Sequence, residues 1–502
     1  MSRTVRNTMY NAFGFAIPLA ITLVSTRYIV GKLTVDIYGL YVLALSVMGL
    51  ISFFDLGFGQ GIIKFISYYH AQHDTDRINK VIDVSLIIHL IMGVLGAILI
   101  YLPAELWARH IFHVREENLH LAVTSLKIVA VGFFFNLLNG VFANIPKAFQ
   151  RYDVAVKIQN GIFFGSTGAV VVSLYLGHGL FGALIATLCF QILGIIANGF
   201  FSYKLFPFLK IRLRFDAAVF KEIFKFSAFM ALNVLTGNIV TRVDKIIVGR
   251  YLGMQGISYY NISFMVAQMG SAFIGAITQQ LFPKVSSLQG ANEHSQLTAL
   301  YQKACRYTFL VAFILTTLLI MLGDSFVGLW MGNAFAEKAK IILPILAVVF
   351  FFSSITSAAL WFYTGLGYTH INLISSAIGS ACYLIGAVYL IPRYGFLGTA
   401  LAFSLILIPF PLYHGYLLRY VLKMGIGWYL SLLARNLALI EIVLLAKRYM
   451  PAVPSSILAI VTGGLIITML CLFLSHLFRL IDLREIREII GKFRINRSEE
   501  AA

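Results

Sequence analysis

A chain of 502 residues that is 59% hydrophobic and only 12% charged, with a mean hydropathy of +0.85, is too apolar to cover a water-soluble surface. Its formal net charge of +18 would suggest nucleic acid in a soluble protein. Here the cations fall between long apolar runs, which assigns them to topology and anionic headgroups and leaves no nucleic-acid partner.

In chain order, Arg3 and Arg6 precede an apolar segment that continues without a small-residue cleavage site, so it reads as a retained span rather than a signal peptide. Spans are predicted at 11–30, 38–58, 81–101, 121–145, 156–176 and 180–202. A basic linker follows, then spans at 223–247, 257–280, 305–329, 340–364, 371–391 and 396–418, with a last pair at 428–446 and 455–478. The fold class is therefore an all-α polytopic membrane protein of about 14 transmembrane helices. With the N-terminus in the cytoplasm, 25 of the 39 Lys and Arg lie on that side, which places both termini there. Pro18, Pro344, Pro409 and Pro411 interrupt predicted spans, and both a hinge and a packing irregularity fit them. The tail 480–495 reads as a basic amphipathic helix on the inner leaflet.

The linker, with Lys204, Lys210, Arg212, Arg214, Lys221 and Lys225, separates six spans from six more. The predicted organisation is an N-terminal lobe over 1–210, a C-terminal lobe over 211–425, two extra helices over 426–479, and a cytoplasmic tail over 480–502. An internal repeat supports the division. Ser25-Thr26-Arg27-Tyr28-Ile29-Val30-Gly31-Lys32 is echoed by Val243-Asp244-Lys245-Ile246-Ile247-Val248-Gly249-Arg250, so Arg27 matches Lys245 and Lys32 matches Arg250. Lys64-Phe65-Ile66-Ser67 likewise matches Lys284-Val285-Ser286-Ser287. A parallel six-plus-six repeat is a transporter signature, with the substrate site expected between the halves.

An ionisable group in hydrocarbon costs roughly 2.5–3.5 kcal/mol on insertion scales and needs a purpose or an escape. Arg27, Asp55, Asp83, Lys127, Arg242, Asp244, Lys245, Arg435 and Glu441 are the candidates. Arg27, Arg242 and Lys245, with Lys127, form a candidate set of cavity cations that bind substrate; snorkelling is the competing account of Arg27. Asp244 and Asp55 are candidates for coupling to a proton or Na⁺, against a structural role in neutralising a neighbouring cation. Arg435 and Glu441 read as local packing partners. His70/His73 and His110/His113 have a metal-compatible spacing but no third ligand, and a solvated surface accounts for them better. The four cysteines, Cys189, Cys305, Cys382 and Cys471, build neither a disulfide framework nor a zinc site. No nucleophile elbow, Walker motif or acid–base pair occurs, so the chain does not read as an enzyme and needs no cofactor.

Three stretches carry a resemblance: Ile246-Ile247-Val248-Gly249-Arg250-Tyr251-Leu252-Gly253, Phe54-Asp55-Leu56-Gly57-Phe58-Gly59 and Phe282-Pro283-Lys284-Val285-Ser286. Together with the six-plus-six-plus-two spans, they resemble the polysaccharide transporter branch, or Wzx-type flippases, of the multidrug/oligosaccharidyl-lipid/polysaccharide (MOP) exporter superfamily. The resemblance implies two six-helix lobes in a V around a cationic cavity, alternating access, and a location in the bacterial inner membrane. It also implies a substrate: an undecaprenyl-diphosphate-linked oligosaccharide moved to the periplasmic leaflet for O-antigen, exopolysaccharide or capsule synthesis. Partners would be that lipid-linked oligosaccharide, membrane lipids and the polymerase, ligase or chain-length proteins of such a pathway. A MATE-like cation-coupled multidrug exporter and a lipid II flippase are the alternatives within the superfamily. A membrane-embedded glycan enzyme is the alternative outside it; the short outer loop 102–120 and the repeat both argue against that.

Overall fold

A computed structural model describes residues 18, 21–49, 58–149, 151–224, 227, 243–291, 293–449 and 456–478. Among them every regular element is helical. In chain order these are α1 (21–32), α2 (Val35–Gly49), α3 (Phe58–Ala71), α4 (Thr75–Tyr101), α5 (Glu116–Ala148), α6 (Tyr152–Tyr175), α7 (Gly179–Leu205) and α8 (217–224). Then follow α9 (Asp244–Thr278), α10 (Leu281–Gly290), α11 (His294–Met331), α12 (Asn333–Gly365), α13 (Thr369–Ser404), α14 (Phe410–Tyr416), α15 (Ile426–Tyr449) and α16 (Ile457–Leu477).

Nine helical stretches among the described residues are long and apolar enough to cross a membrane. They coincide with the predicted spans 81–101, 121–145, 180–202, 257–280, 305–329, 340–364, 371–391, 396–418, 428–446 and 455–478, because a run of apolar side chains in lipid must satisfy its backbone internally, and a helix does so. The predicted 156–176 falls on α6, while 11–30, 38–58 and 223–247 lie partly outside the described residues. α5 contains the predicted 121–145, and α12 contains 340–364. Two stretches each hold more than one predicted span. α9 joins the end of 223–247 to 257–280 through Gly253 (φ 69°, ψ −174°), and 369–421 joins 371–391 to 396–418 through Gly395 (φ 55°, ψ −127°). Both glycines adopt a conformation that a side chain would disfavour, which turns the chain with no intervening loop.

The prolines differ in effect. Pro344 is absorbed inside α12. Around Pro409 the helix narrows to a 3-10 turn at Leu405–Leu407 before α14 begins, because proline removes an N–H from the ladder. Several helix ends close with a left-handed residue and a six-to-one hydrogen bond: Asp74 N to Tyr69 O after His73, His178 N to Ser173 O after Gly177, and Tyr368 N to Tyr363 O after Gly367.

The chain divides into two compact units, Val24–Ser258 and Tyr259 onward, the latter together with the residues up to Leu23. In the first, α5 is the central rod, contacting α2, α3, α4, α6 and α7. α4 packs close to it because Gly96 leaves room for the Phe133 ring, where any side chain would collide. The core at one end of this unit is built from Phe58, Ile62, Tyr69, Ile82, Val141 and Ile223. In the second unit α11 is central, contacting α10, α12, α15 and α16, around a core of Phe309, Phe313, Phe351, Phe362 and Tyr429. The tail 480–502 lies outside the described residues.

Candidate functional site

On α1, Ser25, Thr26, Ile29 and Val30 are buried while Arg27 is exposed. The alternation follows from helical spacing: the neighbours at positions 25, 26, 29 and 30 share one face, and Arg27 stands on another. Lys32, at the helix end, is also exposed and lies over the Tyr28 ring, 5.8 Å from its centroid. The Arg27 guanidinium is permanently charged and presents a planar set of donors that matches phosphate oxygens.

Its counterpart behaves differently. Lys245 is 8% exposed and Asp244 is fully buried at the start of α9. The Lys245 ammonium lies 3.0 Å from both carboxylate oxygens of Asp244, and the Lys245 backbone N–H donates to Asp244 Oδ1 at 2.7 Å. A buried ammonium needs such a partner, and a carboxylate in the first turn also faces the favourable end of the helix dipole. The matched positions 27 and 245 therefore differ in burial: the arginine is exposed, and the lysine is buried against a carboxylate. Arg250, matched to Lys32, is exposed as Lys32 is.

Lys127 is half-buried on α5 and lies over the ring of Tyr101, the last residue of α4, 5.4 Å from its centroid. That contact is a cation–π interaction at the end of a helix. Arg242 and Asp55 lie outside the described residues. Arg435 donates to the Phe478 carbonyl at 3.2 Å, and Glu441 is exposed. Asp83, also expected in hydrocarbon, is buried and accepts the backbone N–H groups of Arg212 and Leu213 at 2.8 and 3.1 Å. Its purpose is to hold the linker.

Among the described residues no group of three or more His, Cys, Asp and Glu could hold a metal ion. The second histidine of each His-x-x-His pair instead takes a left-handed backbone conformation, His73 at φ 58° and His113 at φ 48°. Both sit just past a helix end.

Three arrangements escaped sequence reasoning. Asp324 on α11 and Lys447 on α15 form an ion pair. Asp324 falls inside the predicted span 305–329, and that position was the available signal. The start of α2 is tied to the middle of α9: Ser258 Oγ donates to Val35 O at 2.6 Å and Gln255 Nε2 to Asp36 Oδ2 at 2.8 Å, and Gly39 abuts the Met254 carbonyl. Finally, α9, α11 and α16 enclose an apolar groove of about 330 Å³, lined by Val266, Met269, Leu318, Phe326 and Ile460 with Gly270, Gly323 and Gly464. Its lining is aliphatic and aromatic, and no charged side chain lines it.

A family model described as "Polysaccharide biosynthesis protein" matches residues 33–340. The chain is 22% identical over 409 residues to a protein of Shigella flexneri named "Putative O-antigen transporter", covering 80% of this chain and 94% of that protein. A solved structure titled "Lipid II flippase MurJ, inward closed conformation" superposes with a TM-score of 0.72 at 17% identity, covering 93% of this chain and 98% of the other. An inward-facing multidrug resistance MATE family transporter of the MOP superfamily superposes with a TM-score of 0.68 at 18% identity, covering 82% and 99%. The architecture is that of the MOP superfamily.

Proposed function

The chain belongs to the polysaccharide biosynthesis protein family, and on that premise we propose that it is a flippase. It moves a polyprenyl-diphosphate-linked oligosaccharide from the cytoplasmic to the outer leaflet of a bacterial inner membrane, by alternating access and with both termini cytoplasmic. The observation that carries the reading is the apolar groove between α9, α11 and α16. A hydrophilic glycan has no use for such a surface, whereas a glycan on an isoprenoid anchor does. Arg27 is a separate observation in its favour. A diphosphate crossing a low-dielectric region needs compensating cations, and an exposed guanidinium supplies one in a form suited to phosphate. Lys245 serves the same site in concert with Asp244, and a proton arriving at Asp244 would release the ammonium toward the substrate. Arg242, Lys127 and Asp55 remain candidates for the same path. The fold is that of transporters, and the protein acts without catalysis or a bound cofactor.

The test is transport by the purified full chain in proteoliposomes, comparing a polyprenyl-diphosphate oligosaccharide with the same oligosaccharide free in solution. Protease-free quantification of substrate in each leaflet should show movement of the lipid-linked form only, and Arg27→Ala should reduce it at least tenfold with normal membrane insertion. Equal movement of the free oligosaccharide would defeat the proposal.

A further inference from the structure

The segment 206–216 between α7 and α8 is held in place by two side chains of α4, Asn79 and Asp83. Asn79 bonds both sides of it, accepting from Lys210 N at 2.8 Å and donating to Phe208 O at 3.2 Å. Asp83 receives two successive N–H groups, those of Arg212 and Leu213, and Leu213 is left-handed at φ 51°. A leucine in that conformation is strained, and the buried carboxylate offsets the strain by accepting both donors. Two successive N–H groups around an anion form a nest, here already filled by Asp83.

What the pinned segment displays is consistent along its length. Lys210, Arg212, Arg214 and Lys221 are all exposed. Between and beside them Leu213 and Phe215 are each 53% exposed and Phe224 is 43% exposed. The carboxylates of this region are engaged elsewhere: Asp83 on backbone N–H groups, Glu222 by the Tyr69 hydroxyl at 2.7 Å, and Asp216 by two backbone N–H groups and Lys80 at 3.6 Å. Among the described residues none of the four cations is ion-paired. Exposed cations interleaved with exposed apolar side chains match a surface that is anionic outside and apolar just beneath, which is a lipid headgroup layer.

We propose that the linker segment 210–224 is an interfacial anchor that binds anionic phospholipid headgroups of the leaflet on its own side of the membrane. Arg212, Arg214, Lys210 and Lys221 bind phosphate oxygens, and Leu213, Phe215 and Phe224 enter the acyl boundary. The Asp83 and Asn79 contacts fix the backbone at 208–213, which lowers the ordering cost of binding there. This is independent of what the transporter carries.

The experiment uses the full chain released from nanodiscs of equimolar phosphatidylglycerol and phosphatidylcholine, with retained lipids counted by native mass spectrometry. Wild type should retain phosphatidylglycerol in preference by about tenfold or more. The variant Lys210→Gln/Arg212→Gln/Arg214→Gln/Lys221→Gln should retain the two lipids about equally. A control neutralising four exposed cations elsewhere, Arg115→Gln/Lys338→Gln/Lys340→Gln/Arg393→Gln, should keep the preference. Phe215→Ala with Leu213→Ala, which keeps every charge, should weaken retention without abolishing selectivity. Equal loss in the control would show that net charge alone acts and would overturn the proposal, as would full preference in the linker variant. Displacement of phosphatidylglycerol by a polyprenyl diphosphate at tenfold lower concentration than by added phosphatidylglycerol would overturn it in favour of a transport substrate.

Discussion

Lys447 Nζ lies 2.8 and 3.1 Å from the two carboxylate oxygens of Asp324 and 2.9 Å from the Met321 carbonyl, so one ammonium fastens α15 to α11. Both side chains are largely removed from solvent, at 20% and 14% exposure. Removing one member strands the other in a poorly solvated place. Asp324→Asn should therefore lower stability by roughly 1–3 kcal/mol, and the double variant Asp324→Asn/Lys447→Met should recover part of that loss. Thermal unfolding of the detergent-solubilised protein checks both, and an unrecovered double variant would show that the pair is not what joins the helices.

Gly39 and Gly31 offer a matched comparison. A methyl group on Gly39 would strike the Met254 backbone carbonyl, whereas one on Gly31 meets nothing within 4 Å. Gly39→Ala should cost about 1–3 kcal/mol through displacement of backbone, and Gly31→Ala should be neutral or slightly stabilising. Equal unfolding temperatures for the two would argue against the close approach of α2 to α9.

The two left-handed histidines and Lys423 give a stabilising prediction. His113 (φ 48°) and Lys423 (φ 49°) close short π-helical turns with the same hydrogen bonds, Phe112 N to Trp107 O and Leu422 N to Leu417 O. Glycine takes this conformation without the side-chain clash, so His113→Gly and Lys423→Gly should each raise stability by about 0.5–1 kcal/mol. If His113 bound a metal instead, chelator would lower the wild-type unfolding temperature; no change is expected.

Removal of Asp83 leaves the N–H groups of Arg212 and Leu213 without their acceptor. Asp83→Ala should cost about 1–3 kcal/mol locally and expose Arg212 and Arg214 to trypsin. Cleavage in the linker should be faster than in wild type by tenfold or more, and unchanged cleavage would mean that the linker is held by other contacts.

A pH dependence belongs to Asp216, at the start of α8. The backbone N–H groups of Val219 and Ala218, with Lys80 nearby, hold its carboxyl below the usual carboxylate range. A depressed folded-state value means that the contribution is complete above the ordinary aspartate pKa and is lost as pH falls through the depressed one. Hydrogen exchange at 217–224, taken relative to the intrinsic rate at each pH, should therefore be constant from neutral pH down to about pH 4 and accelerate below it. In Asp216→Asn the acceleration should vanish.

The spans were legible because their signal is local: α5 and α12 announce themselves by apolar length alone, whatever they pack against. The partners of charged groups were not. Asp83 meets a backbone 129 residues away, and Lys447 reaches a carboxylate 123 residues away, so each choice depends on how two helices are rotated in the fold. Lys245 shows the opposite limit. Its partner was the adjacent residue, yet sequence could not say whether the ammonium would turn back to Asp244 or outward, because burial decides that. The role of His73 and His113 as helix terminators is written in backbone angles, which residue identity does not encode.

Gly253 and Gly395 turn two long helical stretches within a single residue each, and at those places the protein has no slack. A residue inserted there cannot be taken up by a loop. It must either expose unsatisfied peptide groups to lipid or rotate the helix that follows by about 100° per residue added, carrying every side chain to a new face. Reporter insertions and permuted termini therefore belong elsewhere, and length polymorphism at these two glycines is the change this architecture is least able to absorb.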